Sequence, residues 1–443
     1  MKYAKILITV LTVAAPSALA TWYTVCAATF SPDGSKVAYL SNDICQGGIS
    51  YAIYTISADG SDRVRLKLKG GLWGAPHFSP DGSKIAFIGD RECFPYGNVF
   101  LVNVDGTDLK AVTAYGDDPF EVDYNTGRKL GVLDAGLTFS PDGGRILYLS
   151  DEFGSSDIYA INVDGTGKTR LTDFAGCDEY KPIFLPGGEL LFTVKGTWDK
   201  AGFWIMNADG SAQRRLATGE DLALVALSPD GTKRAYAGRF GEDYATYVAD
   251  LDGSGRFKVA DGGVYLSFSP DGEKLVYCDD DRVYIVNADG SGRRALTPEW
   301  PIAYGATFAA GGAKIIFLGR PAGAEEIGLY TMNADGSERT PFRATKDMYV
   351  GGPVDIFGSC CGLVVSPAGD RFLFNGDYKD YVGDAPVDYF AVNVDGSGLA
   401  RISEYNYKTN PRPEEEVTPY GGDRAESVTP DPSQTTKVHC PDR

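Results

Sequence analysis

Two short turns alternate along this chain in eight copies each, and no other feature constrains the fold as tightly. The first is Ser-Pro-Asp-Gly, beginning at Ser31, Ser79, Ser140, Ser228 and Ser269. Altered copies stand at Leu185-Pro186-Gly187-Gly188, Ala309-Ala310-Gly311-Gly312 and Ser366-Pro367-Ala368-Gly369. The second is Asp-Gly, at Asp59, Asp105, Asp164, Asp209, Asp252, Asp289, Asp335 and Asp395. In such turns proline presets φ, aspartate bonds its own backbone, and glycine takes a positive φ. His77 to Thr113 shows the whole unit. A strand ends at Phe78 and Ser79-Pro80-Asp81-Gly82 turns the chain. Lys84 to Ile88 follows with apolar residues on both faces, as in a doubly buried strand. A variable loop, Gly89 to Gly97, leads to a third strand, Asn98 to Val104. Asp105-Gly106 turns again into a fourth, Leu109 to Thr113. A lone meander this small cannot bury both faces, so it needs neighbours of its own kind.

The neighbours are the other copies, which occupy 21–403 as one domain. Glycine (55), tyrosine (26) and phenylalanine (22) suit many short strands joined by tight turns. Residues 1–20 stand apart. Lys2 and Lys5, an apolar run from Ile6 to Ala15, and Ala18-Leu19-Ala20 read as a secretory signal peptide. The expected location is therefore exported, periplasmic or extracellular. No later stretch approaches the apolar length of a membrane span. Residues 404–443 carry six prolines and Glu414-Glu415-Glu416, and read as a disordered tail.

Formal net charge is −18. That argues against nucleic acid or an anionic membrane surface as partner, since both require a cationic footprint. The eight cysteines of an exported chain are disulfide candidates. Cys45 and Cys93 fall in corresponding loops of adjacent repeats and are expected to pair. Cys26 and Cys361 each lie four residues before the residue that directly precedes a first turn, Phe30 and Val365, and become neighbours if the first and last repeats meet. Cys360 competes for Cys26, and no pairing is assigned to Cys177, Cys278 or Cys440.

The pattern FSPDG-x-K-I-A-F, a loop, I-Y-x-x-N-x-D-G and R-x-L-T resembles the TolB-like propeller repeat, a relative of the WD repeat. Gly165 to Thr172 and Gly290 to Thr297 carry its last strand clearly. The resemblance implies an all-β fold, a β-propeller of eight four-stranded blades, or seven if one repeat is displaced. It is to the repeat and not to TolB itself, whose separate α/β domain has no room before Phe30. Peptidases with such repeats add an α/β-hydrolase domain, and here only the tail follows. Lyases with such repeats use several histidines around a metal.

This chain has two histidines, His77 and His439. No G-x-S-x-G elbow is present, and no histidine stands where a serine or cysteine nucleophile would need one. The Asp-Gly turns invite calcium, but most lack the closing carboxylate of a calcium loop. Asp279-Asp280-Asp281 is the best metal candidate and still reads as a solvated loop. The expectation is no cofactor, with calcium considered and not favoured.

Topology then locates function. In an up-and-down blade both regular turns lie on one face of the disc, and the second-to-third loops and inter-blade links lie on the other. The irregular segments Ala114 to Asp134, Phe342 to Phe357 and Asn375 to Pro386 all fall on that second face. With them go Trp73, Asp117, Asp118, Phe120, Glu121, Tyr124, Trp198, Trp300, Tyr378 and Tyr381. Aromatics and acids on irregular loops over a rigid scaffold describe a binding face. The expectation is a scaffold for a protein, peptide or glycan. The alternative is a hydrolase or lyase with a carboxylate or metal site at the central channel.

Overall fold

The structure is a computed structural model. It describes residues 28–403 apart from 46–47, 67–71, 90–96, 115–121, 124–127, 130–131, 198, 219–222, 241–242, 262–265, 343–347, 351–362 and 379–387. The signal-like stretch 1–20 and the tail 404–443 lie outside the described residues.

Each repeat folds as one antiparallel meander with its strands in sequence order, giving eight blades. The third blade is representative: Val132–Phe139, Arg145–Ser150, Asp157–Asn162 and Thr169–Arg170. Apart from one 3-10 turn, Ala310–Gly312, the described elements are strands. The link between the second and third blades adds a small ribbon, Val122–Asp123 with Arg128–Lys129. The eighth blade departs from the pattern because its inner strand is in two pieces. Met348–Val350 and Val364–Val365 both pair with Arg371–Tyr378. Segments read as loops are therefore partly strand: 348–350 within one long link, and 375–378 within the eighth blade's loop.

The ring closes. Eight apolar clusters exist among the described residues, and each joins two consecutive blades. An open arc of eight blades would have seven such joints. The eighth joint sets Leu373, Tyr389, Ala391 and Ile402 against Phe30, Val37, Tyr39 and Tyr54. Among the described residues the first and eighth blades share no strand, and apolar burial joins them.

The first turns crowd together round one face. A Cβ on Gly34 would stand 3.8 Å from Pro367 of the eighth blade, and one on Gly82 would stand 3.6 Å from Pro32. Within each turn the aspartate is committed locally. Asp81 Oδ1 accepts from the Ser79 hydroxyl (2.5 Å) and the Ser83 N–H (3.0 Å), which hold its pKa down at about 2. The second turns lie on the same face, since Ala58 N–H donates to Ser35 O (2.8 Å) and Val104 N–H to Ser83 O (3.0 Å).

Every blade carries an aromatic pair at one register, across its second and third strands. The pairs are Tyr39 with Tyr54, Phe87 with Phe100, Tyr148 with Tyr159, and Phe192 with Trp204. The others are Tyr236 with Tyr247, Tyr277 with Tyr284, Phe317 with Tyr330, and Phe374 with Phe390. What stands four residues after the Asp of the second turn follows the pair. All four Tyr–Tyr blades place a cation there, Arg63, Lys168, Arg256 or Arg293, close to a ring of the pair. Both Phe–Phe blades have leucine, Leu109 and Leu399. Buried phenols need a polar partner and bare rings do not. Arg293 supplies one directly, donating from Nε to the Tyr277 hydroxyl at 2.5 Å.

Candidate functional site

The face opposite the regular turns, the loop face, is uneven. The second strand has six residues in the second and third blades. In the first blade it has ten, Lys36–Cys45 against Gly48–Ser57, and in the fifth and eighth it has eight, Lys233–Phe240 and Arg371–Tyr378. At the rise of a β-strand these hairpins stand about 13 Å and about 7 Å above the six-residue blades.

The densest chemistry on this face lies where the third blade meets the fourth. Asp157 opens the third strand of its blade and has no solvent exposure. Arg170 Nη2 donates to both its oxygens (2.9 and 2.8 Å) and to Asp173 (2.9 Å). Glu179, on the inner strand Asp178–Phe184, is also fully buried. It accepts from the Thr172 hydroxyl (2.8 Å) and hydrogen-bonds the carboxyl of Asp157. Burial first, and then the negative charge of Asp157, pushes its pKa up to about 9. Asp157 has the guanidinium and Glu179 does not, so Glu179 holds the proton that the two carboxyls share. Thr172 also accepts from the Ile158 N–H (2.9 Å), as Thr113 and Thr297 do in their blades. Sealed in this way, Glu179 has no path to a substrate.

Around the channel one register of the inner strand recurs as Thr29, His77, Thr138, Ile183, Ala226, Ser267, Thr307 and Val364, all half-buried. Polar residues occupy the first three blades, and Thr307 Oγ1 lies 3.3 Å from Ser267 Oγ across one joint. Burial lowers the pKa of His77, so it is neutral at pH 7. Among the described residues no cluster of three or more His, Cys, Asp or Glu could hold a metal ion. The Asp-Gly carboxylates are occupied: Asp105 Oδ1 accepts from the Thr107 N–H (2.9 Å) and hydroxyl (2.6 Å). Asp280 and Asp281 form a two-residue hairpin turn with φ of 45° and 59°, and Asp279 pairs with Arg282.

Of the residues expected on the binding face, Trp300 is corrected. It is buried at 7% exposure in the joint between the sixth and seventh blades. Its ring lies 5.1 Å from Phe317 and 4.7 Å from Tyr330. The chain before the seventh inner strand turns inward, so this tryptophan fills the core. Trp73 belongs to the inner strand Leu72–Phe78, and Tyr378 ends the strand Arg371–Tyr378. Asp117, Asp118, Phe120, Glu121, Tyr124, Trp198 and Tyr381 lie outside the described residues, as do Cys26, Cys93, Cys360, Cys361 and Cys440. Cys45 ends a strand opposite Gly48 and is not in a loop. Cys177 and Cys278 are free thiols. Sequence reasoning missed Phe153, in the second-to-third loop of the third blade, which is 65% exposed. It has the same signal as the residues that were chosen, an aromatic among acids in an irregular loop.

Compared with protein-family profiles, the chain matches none. A TolB homologue from Chlorobium chlorochromatii (strain CaD3) is 27% identical over 166 residues, 35% of this chain and 33% of that protein. The chain thus spans about a third of the length of that relative. Among solved structures, an oligogalacturonate lyase from Vibrio parahaemolyticus has 15% identity and a TM-score of 0.44, covering 70% of this chain and 89% of its own. TolB from Acinetobacter baumannii has 18% identity and a TM-score of 0.35, covering 69% and 79%. The propeller domain of the Trilobed protease from Pyrococcus furiosus has 13% identity and a TM-score of 0.45, covering 87% and 98%. With eight linked repeats folded as eight blades, the chain is a β-propeller that is similar in sequence, over about a third of its length, to a TolB homologue.

Proposed function

We propose that this chain is an exported scaffold that binds a protein, peptide or glycan through its loop face. The observation that carries the reading is the contrast between faces. One carries the same two kinds of turn in every blade, with the turn carboxylates, where present, spent on their own turns. The other differs from blade to blade in hairpin height, link length and inner-strand continuity. A scaffold that varies only one face offers that face for recognition. The buried Glu179 gives the lyase or hydrolase alternative no support, because no substrate reaches it.

The test is charge reversal of Asp117, Asp118 and Glu121 to lysine in the mature chain, with Glu273→Lys on the turn face as control. Retention on a glycan array and of envelope or culture-medium proteins is compared. The loop-face variant should lose a partner that the control keeps. Equal retention by both variants would remove that loop from the function. The disulfide between Cys45 and Cys93 is part of the same proposal, as is that between Cys26 and Cys361. Peptide mapping of the unreduced exported protein should recover both cross-linked pairs, and alkylation of Cys45 and Cys93 as free thiols would end the first.

A further inference from the structure

Among the described residues two large apolar side chains are exposed, Phe153 mainly in solvent at 65% and Leu109 at 37%. Leu109 belongs to the turn face, where it follows the second turn of its blade. Phe153 lies on the loop face, in the segment between Arg145–Ser150 and Asp157–Asn162. Leaving a phenylalanine in water is unfavourable, and holding it rigid there adds an entropic cost. This one is held. Its loop is closed by the Gly154 N–H donating to Asp151 O (2.9 Å), with Gly154 at φ +92°. The guanidinium of Arg170 stacks on its ring, 4.8 Å from the centroid. Arg170 is fixed in turn by the buried Asp157 and by Asp173.

The surroundings are acidic. The loop and the link beside it contribute Asp151, Glu152, Asp157, Asp173 and Asp178 against Lys168, Arg170 and Lys200, whose Nζ donates to Ala175 O of the link (3.3 Å). Lys168 is engaged with Glu152 at 2.6 Å and Arg170 with Asp157 and Asp173, and five acids still outnumber three cations. Asp173 is 74% exposed and keeps most of its carboxylate facing water. The whole chain carries −18. Charge therefore favours a cationic occupant and works against an acidic one.

We propose that Phe153 is the anchor through which the loop face docks a partner protein, by a segment in which an apolar side chain is flanked by lysine or arginine. The proposal rests on the loop-face reading above and deepens it. The apolar residue covers the ring's open surface, and its basic neighbours meet Asp173 and Glu152. A preformed aromatic with a fixed backing loses little freedom on binding, which is the character of an interface hot spot.

The test uses the full mature chain and two fluorescein-labelled peptides, with leucine and phenylalanine set between lysines in one and between glutamates in the other. Binding is read by fluorescence anisotropy for wild type, Phe153→Ala and Leu109→Ala. Both positions are exposed, and unchanged melting temperatures confirm folding. Wild type should bind the basic peptide saturably and the acidic one at least about tenfold more weakly. Phe153→Ala should weaken the basic peptide by about tenfold or more, and Leu109→Ala should leave it unchanged. No saturation by the basic peptide up to about 1 mM overturns the proposal. So does equal affinity of Phe153→Ala and wild type, or equal affinity of the two peptides. Loss in Leu109→Ala but not in Phe153→Ala would overturn the loop-face reading as well. If Phe153→Ala keeps the peptide while the Asp117, Asp118 and Glu121 variant loses its partner, the anchor falls and the loop-face reading stands. Self-association of wild type that disappears in Phe153→Ala makes a second copy the occupant, and that also overturns the proposal.

Discussion

Glu179→Gln should stabilise the propeller, and the gain should grow with pH. Glu179 is fully buried, accepts from Thr172, and shares a proton with Asp157. Glutamine keeps the shape and the pattern: its carbonyl accepts from Thr172 and its amide donates to Asp157. What changes is linkage. The folded pKa of about 9 lies above the ordinary glutamate value of 4.5, so the folded state binds a proton that the unfolded chain releases. The sign follows directly. Below pH 4.5 both states are protonated and the group costs nothing. Between 4.5 and 9 stability falls as pH rises, and above 9 the loss levels off. At pH 7 the ceiling on this loss is about 3 kcal/mol, and the gain from glutamine should lie between about 1 and 3 kcal/mol. Melting curves from pH 4.5 to 9 measure it. The variant should match wild type at the acid end and melt higher at the alkaline end. Glu179→Leu should melt lower at every pH, since it leaves the Thr172 hydroxyl and Asp157 with a lost partner in a dry joint. The reasoning fails if Glu179→Gln is no more stable than wild type at pH 8, or if its advantage is the same at pH 4.5.

Three further substitutions test the packing. Arg234 is fully buried, with one hydrogen bond, Nη1 to Leu251 O (2.6 Å), while Nε and Nη2 have none. The other blades place Val37, Ile85, Ile146, Leu190, Leu275, Ile315 or Phe372 at that position, so Arg234→Leu should stabilise by about 1–4 kcal/mol in chemical denaturation. Ala212 sits at φ +56°, where the third, fifth, sixth and eighth blades have glycine, so Ala212→Gly should raise stability by about 1 kcal/mol. Trp300→Ala should cost about 3–5 kcal/mol by opening the joint between the sixth and seventh blades. A change within measurement error in any of the three would refute the burial or strain assigned to that residue.

The scaffold was legible in the sequence because its information is local. A turn such as Ser79 to Gly82 states its own geometry, since Asp81 is bonded by Ser79 and Ser83, all within five residues. Five such statements, with three altered turns in the same alternation, fix eight blades. Ring closure was legible only as a consequence, through residues as far apart as Tyr39 and Tyr389. The site was less legible because it depends on where links run in space. Glu299-Trp300-Pro301 looks like an exposed link, yet Trp300 packs on Phe317 and Tyr330. Nothing near Glu179 in sequence marks it as protonated, because its partner Asp157 lies 22 residues away on the neighbouring blade. Phe153 shows the converse: its exposure was inferable, but its backing by Arg170 required the fold.

The turns and the buried dyad pull the pH dependence in opposite directions, which gives one more prediction. Asp33 and Asp81 have folded pKa values of about 2, and the carboxylates of the other described turn aspartates are also lowered, chiefly by their own turn hydroxyls. A depressed acid stabilises the fold above its unfolded value, near 3.8, and loses that contribution as pH falls toward 2. These groups face solvent and each contributes little, but the motif recurs around the ring. Glu179 acts on the other flank, from 4.5 upward. Relief of the −18 charge as carboxylates protonate also favours the acid side. The wild-type stability maximum should therefore fall near pH 4–5, toward the acid end of the range usual for folded proteins. Glu179→Gln should broaden that maximum toward neutral pH without moving its acid edge, because the turns set that edge. A wild-type optimum at pH 7 or above would show that neither the dyad nor the turns govern the titration of this fold.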